Sequence, residues 1–104
     1  MGDKIDNPNA LQIKEAISSF SDEIGAEFDV SETDLGNEET KLVNDRGSIV
    51  KFVKDGDDGF LRLEANEEVL NVGLDDIKSI EFVNYKNDYD TVYVDHSEYT
   101  EFII

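Results

Sequence analysis

The segment from Ser48 to Ala65 constrains the fold most. Ile49, Val50, Phe52 and Val53 precede Asp55-Gly56-Asp57-Asp58-Gly59, and Phe60, Leu61 and Leu63 follow it. Two apolar runs around an Asp-Gly-rich turn specify a β-hairpin, because Asp and Gly supply the positive φ angles and local hydrogen bonds of a tight reversal. Leu61 and Leu63 alternate with Arg62 and Glu64, the period-two pattern of a strand with one wet face. The same grammar continues downstream. Val69 to Leu74 carries Leu70, Val72 and Leu74 on one side, Ile77 to Asn84 carries Ile80 and Phe82, and Thr91 to Val94 and Tyr99 to Ile104 complete the series. Lys41 to Asn44 is a further short candidate. Turns are expected at Asn66-Glu67-Glu68 and at Asn87 to Asp90, with a bend at His96-Ser97, and Asp75-Asp76 lead into the strand from Ile77. Strands about ten residues apart with tight turns predict an antiparallel meander or a small, partly open barrel.

Ahead of the strands, Ile13, Ile17, Phe20, Ile24 and Phe28 recur at helical spacing and predict one amphipathic helix over about 8–27. Pro8 suits the first helical position, with Asn7 as its cap, and Gly25 offers an earlier stop through a left-handed cap. The polar face carries Lys14 as its one cation, so the helix is expected to pack on a sheet and not on a membrane surface. The stretch from Asp29 to Glu39 is rich in acids and poor in apolar anchors, which predicts an exposed connection. The expected fold is therefore α+β: one N-terminal helix packed on five or six antiparallel strands, in a single domain of 104 residues.

Charge bounds the partners. Asp and Glu number 26 against 9 Lys and Arg, a formal net charge of −17. Phosphate backbones and anionic membrane faces both need clustered cations, so direct nucleic-acid binding and membrane adsorption are excluded as expectations. The chain contains no cysteine, which removes disulfides, thiol nucleophiles and thiolate metal sites. No apolar stretch approaches the ~20 residues of a membrane span. The polar, acidic first residues do not read as a secretory signal, and the expected location is cytoplasmic.

Chemistry-bearing patterns are sparse. Asp55, Asp57 and Asp58 invite a calcium reading, but counted from Asp55 an EF-hand loop finds Gly59 at position 5, Phe60 at position 6 and Asn66 at position 12. The cluster is better explained as a turn, and no metal or cofactor is expected. His96 is the single histidine and reads as a solvated turn residue beside Asp95, Ser97 and Glu98. No phosphate loop or nucleophile elbow is present, and an enzyme is the least supported class.

One segment stands out. Asn87 to Glu101 contains Asp88, Asp90, Asp95, Glu98 and Glu101 without any Lys or Arg, interleaved with Tyr89, Tyr93 and Tyr99. Carboxylates accept bidentate arginine bonds, and tyrosine rings take stacked guanidinium planes. Strand alternation places Tyr93 with Asp95 and Tyr99 with Glu101. These eight residues are the candidate partner-binding site. The expected function is a non-enzymatic, acidic inhibitor that occludes a basic, nucleic-acid-binding surface of a partner protein such as a nuclease. By size and charge this is analogous to phage anti-restriction or anti-CRISPR proteins and to nuclease-immunity proteins. The alternative is a structural or accessory β-rich domain of a phage or bacterial assembly. A clustered acidic face favours the first reading, and even charge all round favours the second.

Overall fold

The computed structural model describes residues 4–104. The first described element is a short strand, β1 (Lys4–Asp6), followed by the helix α1 (Ala10–Ile24). Five strands come next: β2 (Glu27–Glu32), β3 (Glu38–Val43), β4 (Ile49–Asp55), β5 (Asp58–Ala65) and β6 (Glu68–Gly73). A 3₁₀ turn at Leu74–Asp76 leads to β7 (Ser79–Val83), β8 (Thr91–Asp95) and β9 (Tyr99–Ile103). Strands β2 to β6 form an antiparallel five-stranded meander in sequence order. The second sheet runs β1-β7-β8-β9, so the first strand returns to pair with β7 after the whole meander has been built.

The α+β class and the helix-on-meander arrangement are as expected. The strands divide between two sheets, neither closed into a barrel, and number nine among the described residues against the expected five or six: β1 and β2 are additional, and β3, a short candidate at Lys41 to Asn44, is a full strand. The acidic stretch from Asp29 to Glu39 is the main correction. It is a hairpin, not a connection, in which β2 pairs residue for residue with β3 from Glu27↔Val43 to Glu32↔Glu38. The turn is closed by the Thr33 amide bonding to the Asn37 carbonyl at 2.8 Å, with Gly36 at φ +82°. Phe28 and Val30 alternate there with Asp29 and Ser31, so Phe28 belongs to a strand and not to the helix stripe.

The helix is shorter than expected at both ends. Asn9 is its cap: its side-chain oxygen accepts from the Gln12 amide at 2.8 Å, and the Gln12 side chain accepts from the Asn9 amide at 2.9 Å. Two donors left unpaired at any helix start are thereby satisfied, which Asn7 and Pro8 do not achieve. Gly25 ends the helix in the left-handed region at φ +69°. Ile13, Ile17 and Phe20 are buried against the meander, where the helix lies over β3 and β4. Phe20 also reaches the second sheet, with its ring centroid 5.2 Å from that of Phe82. Leu42, Val50, Phe52, Leu61 and Leu63 from one sheet join Ile80, Val92, Val94 and Phe102 from the other in a single apolar cluster. Burying side chains of this size stabilises by about 1.5–3 kcal/mol each.

The hairpin read from the Asp-Gly cluster is present as β4–β5, with Asp55 opposite Asp58 and Gly56 at φ +63°. Gly59 is required for a separate reason. A Cβ there would stand 2.4 Å from the Val53 carbonyl oxygen, closer than any side chain tolerates.

Candidate protein-binding face

Hydrophobic alternation in β7, β8 and β9 turns Ile80, Phe82, Val92, Val94 and Phe102 inward. Their neighbours are left on the outer face of the four-stranded sheet. The register arranges that face in rows: Lys4, Glu81, Tyr93 and Glu101 in one, and Asp6, Ser79, Asp95 and Tyr99 in the next. Tyr93, Asp95, Tyr99 and Glu101, four of the eight candidates, therefore share one surface. Tyr93 and Tyr99 stack with centroids 6.1 Å apart and planes inclined by 22°. The Tyr85 hydroxyl, from the loop after β7, lies 2.5 Å from that of Tyr93. That hydrogen bond, then burial, then the nearby Glu101 and Tyr99 push the Tyr93 phenol up to about 12.

The other four candidates lie elsewhere. Glu98 is in the β8–β9 turn, where its carbonyl accepts from the His96 amide at 3.3 Å. Asp88 is exposed in the β7–β8 loop, its carboxylate accepting from the Tyr89 amide at 2.8 Å. Tyr89 is covered by Arg46 of the β3–β4 turn, whose guanidinium carbon is 4.0 Å from the ring centroid. Arg46 also donates to the Ile104 carbonyl at 3.0 Å. A stretch without cations in sequence thus receives one in space. Asp90, partly buried, has a carboxyl pushed up from its ordinary value by burial, then by Asp45 and Glu23.

Two further acidic residues belong to the face. Glu81 stands directly opposite Tyr93, and Asp6 lies in the same row as Asp95. The alternation around Ile80 and Phe82 already turned Glu81 outward, but only the pairing of β7 with β8 brings it beside Tyr93.

His96 is a correction. It is buried, not solvated, because it continues the inward phase of Val92 and Val94 beyond the end of β8. Its Nε2 is 2.9 Å from the Thr100 hydroxyl and its Nδ1 is 3.4 Å from the Ser97 hydroxyl. Among the described residues no group of three or more His, Asp or Glu side chains is placed to hold a metal ion. Among the described residues no helix is long and apolar enough to cross a membrane.

Compared with protein-family models, with curated proteins and with solved structures, the chain matches none. The functional reading therefore rests on the face itself.

Proposed function

We propose that this protein is a non-enzymatic, acidic binding protein whose four-stranded sheet docks its outer face into a basic cleft of a partner, in the manner of a nucleic-acid mimic that occludes the true ligand. The observation that carries this reading is the cross-strand arrangement of Glu81, Tyr93 and Glu101 beside Asp95 and Tyr99. Carboxylates at this spacing take arginine bidentately, and the stacked rings offer flat apolar area beside them. The distribution of charge supports the same reading over an accessory-domain role. Asp6, Glu81, Asp95 and Glu101 share the tyrosine face, and Lys4 is the one cation in these rows among the described residues. Lys41, Lys51 and Arg62 line up instead across the outer face of the meander. The whole-chain charge of −17 adds long-range steering toward a cationic target.

The test is capture from a nuclease-treated bacterial lysate on the immobilised protein, at low and at high salt. Basic proteins should be retained at low salt, be released by added DNA, and be lost from an Asp95→Asn, Glu101→Gln variant. Retention that is unchanged in this variant, or that DNA does not compete, overturns the proposal.

A further inference from the structure

Strand β2 is the outer edge of the meander, and it is exposed along its whole length. Its phase is set by the Thr33 amide bonding to the Asn37 carbonyl. Ladder bonds alternate in an antiparallel pair, so Ser31 and Asp29 bond to β3, while the backbone groups of Phe28, Val30 and Glu32 point to the free edge. On the helix side of the sheet, Phe28 and Val30 are in register with the buried Leu42 and Thr40, yet they remain 40% and 49% exposed. The helix lies chiefly over β3 and touches β4 and β2 less, which leaves both side chains open to solvent. An edge with open backbone groups and an uncovered apolar pair is a template for another strand.

The register selects the occupant. If two β2 strands pair antiparallel about Asp29, Phe28 faces Val30 of the second copy and Val30 faces Phe28, through the groups that point outward. Neither register one residue to either side achieves this: centred on Val30 it sets Phe28 against Glu32, and centred on Phe28 it sets Val30 against Ala26. The cost is one contact between the two Asp29 carboxylates on the opposite face. Each Asp29 lies directly across from Lys41, which makes no ion pair among the described residues, while Lys51 is held by Glu39 at 3.5 Å and Arg62 by Glu64 at 2.9 Å. Lys41, Lys51 and Arg62 are direct cross-strand neighbours, an unfavourable row in isolation. In the paired sheet this row ends on a doubled negative charge, which both copies of Lys41 flank.

We propose that β2 is a self-recognition edge at which a second copy of this chain pairs antiparallel about Asp29, joining two five-stranded sheets into one. This surface is separate from the acidic tyrosine face, and the two readings stand or fall independently. Because each chain carries −17, association strengthens with salt as repulsion is screened, the Debye length falling to ~3 Å at about 1 M.

Sedimentation equilibrium from micromolar to millimolar protein, at low salt and at about 1 M NaCl, tests the proposal. The expected result is a mass rising with concentration toward twice that of one chain, more steeply in salt. Val30→Pro removes an amide that β3 does not use and should hold the protein monomeric, and Val30→Lys should do the same should the proline variant not fold. Asp29→Asn should tighten the dimer by roughly two- to five-fold, the size of a cross-strand charge pair. A monomer under every condition overturns the proposal, as does a dimer indifferent to both Val30 variants or weakened by Asp29→Asn.

Discussion

Tyr93 and Tyr99 are diagonal neighbours across the β8–β9 pair, their rings stacked with centroids 6.1 Å apart. The contact builds one continuous aromatic surface from two strands, with Glu101 directly opposite Tyr93 and Asp95 directly opposite Tyr99. Each ring therefore has a carboxylate beside it, the pairing that a guanidinium uses when it stacks and bonds at once.

The phenol pair on this surface has a spectroscopic signature. Tyr93 is pushed from 10.0 up to about 12, chiefly by its hydrogen bond to Tyr85. The native state then keeps a proton that the unfolded state loses above 10, so the contribution of Tyr93 to stability is lost as pH rises through that window. In an alkaline titration followed by phenolate absorbance and ring NMR shifts, Tyr93 should lag the ordinary tyrosine value. Tyr85→Phe should bring its midpoint down toward 10.0. An unmoved midpoint would show that the hydrogen bond is not the cause.

On a captured partner, Asp95→Asn with Glu101→Gln should lower the association rate and flatten its salt dependence, since exposed charges act on encounter. Tyr93→Ala should act on dissociation, at about 1–3 kcal/mol for a ring that anchors the interface. Stopped-flow kinetics against Glu15→Gln and Asp22→Asn on the helix separate a specific face from bulk charge. Equal effects from helix and sheet variants would leave bulk charge as the whole explanation.

Thr40 is 1% exposed in the middle of β3, and its hydroxyl has no hydrogen-bond partner among the described residues. A buried, unpaired hydroxyl costs about 1–3 kcal/mol in proteins. Thr40→Val keeps the branched shape that strands favour and removes the orphaned oxygen. Urea denaturation should show the variant more stable by a comparable amount, with an unchanged slope. A loss of stability would mean that the hydroxyl is satisfied in solution.

The β5–β6 turn places both Asn66 and Glu67 at positive φ, +52° and +69°. Asparagine tolerates this region, whereas glutamate pays a steric cost of roughly 1 kcal/mol that glycine avoids. Glu67→Gly should therefore raise the melting temperature by several degrees, the scale expected for a domain of this size. A lower melting temperature would point to a stabilising role for the Glu67 side chain.

Asp90 carries a raised carboxyl because it is partly buried and faces Asp45 and Glu23. A native pKa above the unfolded one means that the folded protein takes up the proton first. This group's penalty is therefore present at pH 7 and disappears as pH falls through the native pKa toward 3.8. Asp90→Asn should raise stability at pH 7 and reduce the gain seen on acidification. Melts of both proteins from pH 7 to 4 check the sign, and identical pH profiles would remove Asp90 from the account.

The sequence by itself determined the local elements whose signals are short-range. The reversal within Asp55 to Gly59, which narrows to Gly56-Asp57, the alternation of Leu61 and Leu63, and the stripe of Ile13, Ile17 and Phe20 each act within a few residues, and each falls within the segment that its pattern marked. The shared surface of Tyr93, Asp95, Tyr99 and Glu101 was equally legible, since strand period and a tight turn suffice to bring them together. What tertiary structure decided is everything that depends on pairing across long separations. The strand β2 was hidden because its apolar residues are only Phe28 and Val30 among acids, and it forms by adding to β3, not through a strong pattern of its own. Glu81 joined the tyrosine face, Arg46 reached Tyr89, and Lys41, Lys51 and Arg62 fell into one row only when strand order and register were set. His96 became buried because the inward phase of β8 runs past the strand end, which no single-residue property announces. Composition set the sign of the protein's charge, but the register of two sheets decided which carboxylates stand together.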